Sequence, residues 1–275
     1  MQYHSEYRRL KMKSVTFLVL IISLVFMITS NSALGNFALL FDGQDDRVEC
    51  GVNNLPADND PGTQEIWFKI GSVEGVQGGD FNQKMLFGYG TVNLSNGARV
   101  LAIADNGSKI NFTNWGGDAR VVAPDILDGE WHHAAVTHDG VKQTIYCDGE
   151  VIGNGNLALA SNATNCTIGG VFDGVFNQYF EGTMDEVRIW DVARTQEEIQ
   201  SNMGITLTGK EEHLVSCWSF DEGSGDITRD STASQNDGTL IGGPKWVESD
   251  APIESLSVDA VGKLAVAWGK VKRIR

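Results

Sequence analysis

Short apolar runs recur along the chain, many alternating with polar residues, and glycine, asparagine or aspartate closes nearly every one. Phe37-Ala38-Leu39-Leu40-Phe41 stops at Asp42-Gly43, and Ile66-Trp67-Phe68-Lys69-Ile70 is β-branched and aromatic. Met85 to Phe87 and Val100 to Ile103 read the same way, with Lys109 to Phe112 and Ala119 to Ala123 as weaker runs. Such runs predict strands, because a two-residue period lays one apolar face against a core. The clearest stretch is Gly129 to Gly149. There Trp131 to Thr137 is a strand closed by Asp139-Gly140, and Gln143 to Cys147 is the next. Asp148-Gly149 predicts a two-residue type I′ turn into Glu150-Val151-Ile152. That turn sets Cys147 opposite Glu150, Tyr146 opposite Val151 and Ile145 opposite Ile152. Cys166 to Gly169 is a further short strand.

One helix start stands out. In Thr195-Gln196-Glu197-Glu198 the threonine can accept from the third amide while Glu198 reaches back, the pattern of a capping box. Leu214 to Phe220 then alternates cleanly, so the chain returns after the helix to complete a sheet. Strands about 8–12 residues apart with turn signals between them predict a sandwich or barrel, not a βαβ fold.

Composition agrees. Glycine is abundant at 32 residues and proline scarce at 5, which suits turn-rich β structure, and 41% apolar content excludes a disordered chain. A net charge of −15 excludes a general nucleic-acid binder, since phosphates would be repelled. The same acid surplus favours calcium and solubility. Residues 1–35 read as a signal peptide. Arg8, Arg9, Lys11 and Lys13 form a basic start, Val15 to Ile28 an apolar run, and Ala33 to Gly35 a cleavage zone before Asn36. The run has 14 residues. A membrane anchor needs about 20, so no transmembrane span is expected in the mature form, and Met12 is an alternative start. The expected location is secreted or cell-surface. Residues 251–275 form a basic tail in which Leu264 to Trp268 fits either a strand or a helix, leaving 36–250 as the main domain. Export would favour two disulfides among Cys50, Cys147, Cys166 and Cys217, since no C-x-x-C spacing points to zinc. Of three possible pairings, Cys147–Cys166 with Cys50–Cys217 is favoured: the first two lie on neighbouring segments, the last two both near the closure of the domain.

Five motifs in a consistent order resemble one known family. They are Phe41-Asp42-Gly43-Gln44-Asp45-Asp46-Arg47-Val48-Glu49, Trp131 to Gly140 followed by Ile145 to Gly149, Phe180-Glu181-Gly182-Thr183-Met184-Asp185-Glu186-Val187-Arg188-Ile189-Trp190-Asp191, Trp218 to Gly225, and Asp237 to Leu240. The stretch from Asn36 to Val247 is similar to the laminin-G-like, concanavalin-A-like jelly-roll domains. The last block opens the domain in many relatives and closes it here. The resemblance implies an all-β, two-sheet antiparallel jelly-roll sandwich with one short helix. It implies activity only loosely, because lectins, pentraxins, laminin G modules and some glucanases share the fold.

Candidate chemistry is sparse. Glucanases of this fold carry Glu-x-Asp-x-Glu on one strand; the nearest match, Glu248-Ser249-Asp250-Ala251-Pro252-Ile253-Glu254, has too long a final gap and a proline, and reads as a linker. His132 and His133 are neighbours on a strand and point to opposite faces, so packed histidines are expected rather than a metal pair. Asp58 to Gly62 resembles half an EF-hand loop and reads as a polar turn. Relatives often hold a structural calcium, Ca2+, near the strand matching Asp185. The resemblance therefore implies Asp185 as a metal ligand, with Asp42 and Asp221 if their turns converge. Trp115, in Asn114-Trp115-Gly116-Gly117-Asp118, is the tryptophan expected to be exposed for stacking on a sugar ring. Asn93, Asn106, Asn111, Asn162 and Asn165 head glycosylation sequons. The expected function is an exported, non-catalytic recognition module for a glycan or an extracellular protein. A polysaccharide hydrolase or lyase of the same fold, and a structural or adhesive surface protein, are the alternatives.

Overall fold

A computed structural model describes residues 36–72, 83–91, 94–171 and 178–254, together with the backbone of 257–258 and 264–265. The expected signal peptide, the Asn93 sequon and nearly all of the basic tail lie outside the described residues. In chain order the strands begin with β1 (Phe37–Asp42), β2 (Arg47–Cys50), β3 (Gly62–Ile70), β4 (Gln83–Gly90), β5 (Ala98–Ala104) and β6 (Lys109–Thr113). β7 (Asp118–Val122), β8 (His132–His138), β9 (Gln143–Cys147), β10 (Glu150–Gly155), β11 (Cys166–Ile168) and β12 (Glu181–Trp190) follow. Helix α1 (Gln196–Asn202) precedes β13 (Leu214–Trp218), β14 (Ile227–Thr228), β15 (Gly238–Ile241) and β16 (Lys245–Glu248).

These strands form two antiparallel sheets of eight. The first runs β10-β9-β8-β3-β12-β1-β16, with β13 also on β12; the second runs β14-β15-β2-β11-β4-β5-β6-β7. Between them lies one apolar core that takes alternate residues from both, including Leu39, Phe41, Ile66, Phe68, Leu101, Ile103, Ile110 and Phe112. Trp218 and Phe220, both fully buried, belong to that core, so the late strand completes the sandwich as its alternation predicts. β12 makes this possible. One edge of it pairs with β1 over residues 181–184 and then with β13 over 187–190. The register against β3 slips between Asp185 and Arg188 at this handover, and Glu186 sits there with a φ of 47°.

The outer face of the first sheet is closed by α1. Its box is present as expected, with Thr195 accepting from the Glu198 amide and Glu198 from the Thr195 amide. Ile199 packs on Ala135 and Tyr146. At its C-terminal end, where carbonyls lack helical partners, Arg188 donates to Asn202 O and Trp67 to Met203 O. Beneath lies a buried charge network in which Glu65 accepts from Trp190 and Arg194 and meets His133 Nε2 at 3.3 Å. Burial opposes the charge of Glu65, but the hydrogen bond from His133 and the charges of His133, Arg188 and Arg194 outweigh it and hold its pKa at about 2. His132 turns the other way, to Asp148 and Asp128, as the pleat requires.

Several expectations are corrected. The Asp148-Gly149 turn has both residues at positive φ, and Cys147 faces Glu150 and Tyr146 faces Val151, but a bulge then sets Ile145 opposite Gly153 instead of Ile152. The structure contains no disulfide among the described residues, and the pairings Cys147–Cys166 and Cys50–Cys217 are not the ones the fold brings together. Cys166 faces Cys50 across β11 and β2, while Cys147 and Cys217 lie in the other sheet. The main domain does not stop at 250: Glu254 pairs with Gly204 and Thr206 through its backbone. Asn111 is fully buried, which closes that sequon to modification in the folded chain, whereas Asn106 and Asn162 are exposed.

Candidate functional site

β5 is buried on both faces. Leu101 and Ile103 enter the central core, while Ala98, Val100 and Ala102 turn outward and join Met85 and Val171 in a second apolar cluster. Half-buried Trp115 packs against that outer cluster. It comes from the hairpin between β6 and β7, whose last pair is Thr113 with Asp118. Trp115 has a φ of 65°. A left-handed backbone at so large a side chain costs roughly 1–3 kcal/mol and persists only when its surroundings enforce it. Asn114 enforces it. Its Oδ1 accepts from the Gly116 and Gly117 amides at 2.8 and 2.7 Å, and its Nδ2 donates to Asn96 and to the Ala158 carbonyl.

Beside the indole lies a cavity of about 290 Å³, lined by Gln83, Val100, Thr113, Trp115, Asp118 and Gln178 with the Gly116-Gly117 backbone. That volume falls just short of the roughly 300–1,000 Å³ of small-ligand sites, room for about one sugar unit. The lining joins one flat aromatic face to two carboxamides, a hydroxyl and a carboxylate, the groups that stack on and hydrogen-bond to a polyhydroxylated ring. Burial works against the charge of Asp118, but hydrogen bonds from Asn111, Thr113 and Arg120 outweigh it and hold the carboxyl below its usual range. A broader cleft of about 580 Å³ lies by Asp42, Asp46, Glu181 and Lys245. Among the described residues that line it the one aromatic, Phe41, is 1% exposed and has no face to offer a ligand.

The expected calcium ligands separate. Asp42 pairs with Glu181, four residues before Asp185 on β12 and so about 13 Å away along the strand. Its neighbours are Asp45 and Asp46 instead. Asp185 is buried, its carboxylate accepting from the Ser249 hydroxyl at 2.6 Å and the Glu186 amide at 2.8 Å. Burial, together with the charges of Glu186 and Asp221, pushes the Asp185 pKa well up. Asp221 accepts from the Phe37 amide. The three acids therefore do not form one ligand set. Trp115, Thr113 and Asp118 are placed by one hairpin and stand in one readable stretch; Gln83 and Gln178 come from distant segments and carry no local signal.

A protein described as a candidate carbohydrate-binding protein from Bacteroides ovatus has a solved structure that matches this chain with a TM-score of 0.61 at 22% identity. The match covers 80% of this chain and 62% of that one. Pappalysin-1 of Mus musculus is 33% identical over 84 residues, which is 28% of this chain and 5% of that protein. The chain thus spans less than two thirds of the length of either. Among the described residues no helix is long and apolar enough to cross a membrane. Residues 42–200 match the Laminin_G_3 family. Two facing sheets, the late closing strand and that match agree, and the chain belongs to the concanavalin A-like lectin/glucanases superfamily.

Proposed function

We propose that this chain is a non-catalytic carbohydrate-binding module whose ligand, an uncharged sugar unit of a larger glycan, stacks on Trp115. The observation that carries this reading is the hairpin that holds Trp115 in a costly backbone conformation beside a cavity lined by Gln83, Gln178, Thr113 and Asp118. The similarity of fold to the Bacteroides ovatus protein supports it. Among the described residues Asp118 is the one carboxylate lining the cavity, whereas glycoside hydrolysis uses two, about 5–9.5 Å apart. A glycan array is the test. Wild-type protein is expected to retain a defined set of glycans and Trp115→Ala to lose at least tenfold in affinity while keeping its unfolding midpoint within a few degrees. Equal binding by the variant overturns the site, and release of reducing ends overturns the non-catalytic assignment.

The reading places the protein outside the cytoplasm, so the exported chain should begin at Asn36 on N-terminal sequencing. It also keeps a structural calcium at Asp185. Asp185 and Asp221 would supply carboxylates, with backbone carbonyls and water completing the shell. Calorimetric titration with calcium is expected to show saturable uptake that Asp185→Asn removes; absence of uptake sinks the calcium assignment alone.

A further inference from the structure

Cys50 and Cys166 stand directly opposite one another on the antiparallel neighbours β2 and β11. Directly opposed residues in such a pair share a face and have Cα atoms about 4.5–5.5 Å apart, inside the roughly 4.4–6.8 Å window that a disulfide requires. Cys166 is 2% exposed and belongs to the central core, with half-buried Cys50 packed against it. On the other side of Cys50 the facing residue is Gly238, where a Cβ would come within 3.2 Å of the Cys50 sulfur. A glycine there leaves the sulfur room to turn toward its partner. The remaining two thiols have no such partner. Cys147 lies on β9 and Cys217 on β13, with β8, β3 and β12 between them, so about four strand spacings of roughly 4.8 Å separate the two. They also face different clusters, Cys147 the central core and Cys217 the outer cluster around Trp190 and Leu207.

We propose that Cys50 and Cys166 form a disulfide that staples β2 to β11, and that Cys147 and Cys217 remain thiols. With glutathione disulfide as oxidant, the Cys50 thiolate attacks one glutathione sulfur and expels the first glutathione thiolate. The Cys166 thiolate then attacks the Cys50 sulfur of the mixed disulfide and expels the second. The two protein protons end on the two glutathiones, so two protein thiols are oxidised and one glutathione disulfide is reduced. Burial and the hydrogen bond to Cys166 push the Cys50 thiol well up in the folded chain. The thiolate is therefore scarce once the strands have packed. The bond forms while the chain is folding and is shielded from reductant afterwards. It joins segments far apart in sequence, the case in which a cross-link restricts the unfolded chain most.

The test is oxidative refolding of the reduced full chain in a glutathione redox buffer, followed by alkylation in denaturant and peptide mapping without reductant. The expected result is one peptide linking Cys50 to Cys166, with Cys147 and Cys217 alkylated and two free thiols per chain. Denaturant should unfold this oxidised form at a higher concentration than the reduced form, and Cys50→Ser/Cys166→Ser should abolish that difference. Four alkylated cysteines after oxidative refolding, or a link from Cys50 to Cys147 or Cys217, overturns the proposal. The wild-type map decides even if the double variant fails to fold.

Discussion

Asn114 does more to build the candidate site than the tryptophan it presents. Buried to 1% exposure, it satisfies two hairpin amides with one oxygen and ties the hairpin to Asn96 and Ala158 with its nitrogen. Asn114→Ala removes these bonds and leaves buried groups unpaired. The expected cost is about 2–4 kcal/mol in urea denaturation, together with weaker glycan binding, because the hairpin then loses the bonds that fix the turn at Trp115. Unchanged stability would remove the strained-hairpin account. Asn114, Trp115 and Asp118 were legible as one short polar and glycine-rich stretch. Gln83 and Gln178 were not, since only the pairing of β4 with β5 and the return of the chain at 178 bring them to the cavity beside the indole. The burial of Asp185 was equally hidden: its neighbours Ser249 and Asp221 lie far along the chain.

Helix α1 shows how local and distant contacts divide the work. Seven residues are too few for a helix to stand alone, so its ends and its single buried contact must be supplied. Thr195→Ala is expected to cost about 1 kcal/mol, within the usual 0.5–2 kcal/mol for a lost N-cap, read as a lower urea midpoint with the sheets intact. A loss near zero would show that Arg188 and Trp67 hold the helix from its other end alone. The cap was visible in sequence because it lies within four residues. The bulge in β10 was not: Gly153 opposite Ile145 depends on how the strand bends, which the type I′ turn does not dictate.

At the scale of the whole molecule, the His132 cluster ties stability to pH. Burial works to lower the His132 pKa, but the hydrogen bonds it donates to Asp148 and Asp128 outweigh it, so the folded value is raised. A raised histidine contributes stability that is fully present below its unfolded pKa of about 6.5 and is lost as pH rises through the folded value. Asp148 is lowered, with burial outweighed by His132, and Asp128 is lowered by the Glu130 amide and His132. Their contribution is present above about pH 4 and is lost as pH falls through their folded values. The cluster is therefore strongest between those limits. The stability difference between wild type and His132→Gln, from urea midpoints, should be larger at about pH 5.5 than at about pH 8.5; equal differences would discount the ion pairs. The sequence by itself determined most of the strands, the Asp148-Gly149 turn, the helix cap and the polar, glycine-rich stretch that carries Trp115, because each depends on periodicity or on residues within a few positions; spacing left sandwich or barrel open, and the family resemblance implied the sandwich. Tertiary structure alone decided which cysteines face each other, that Asp42 parts from Asp185, and which carboxamides line the cavity beside Trp115. Those outcomes follow from strand order and register, and the free energy that selects them comes from burying alternate faces of both sheets at once rather than from any one segment.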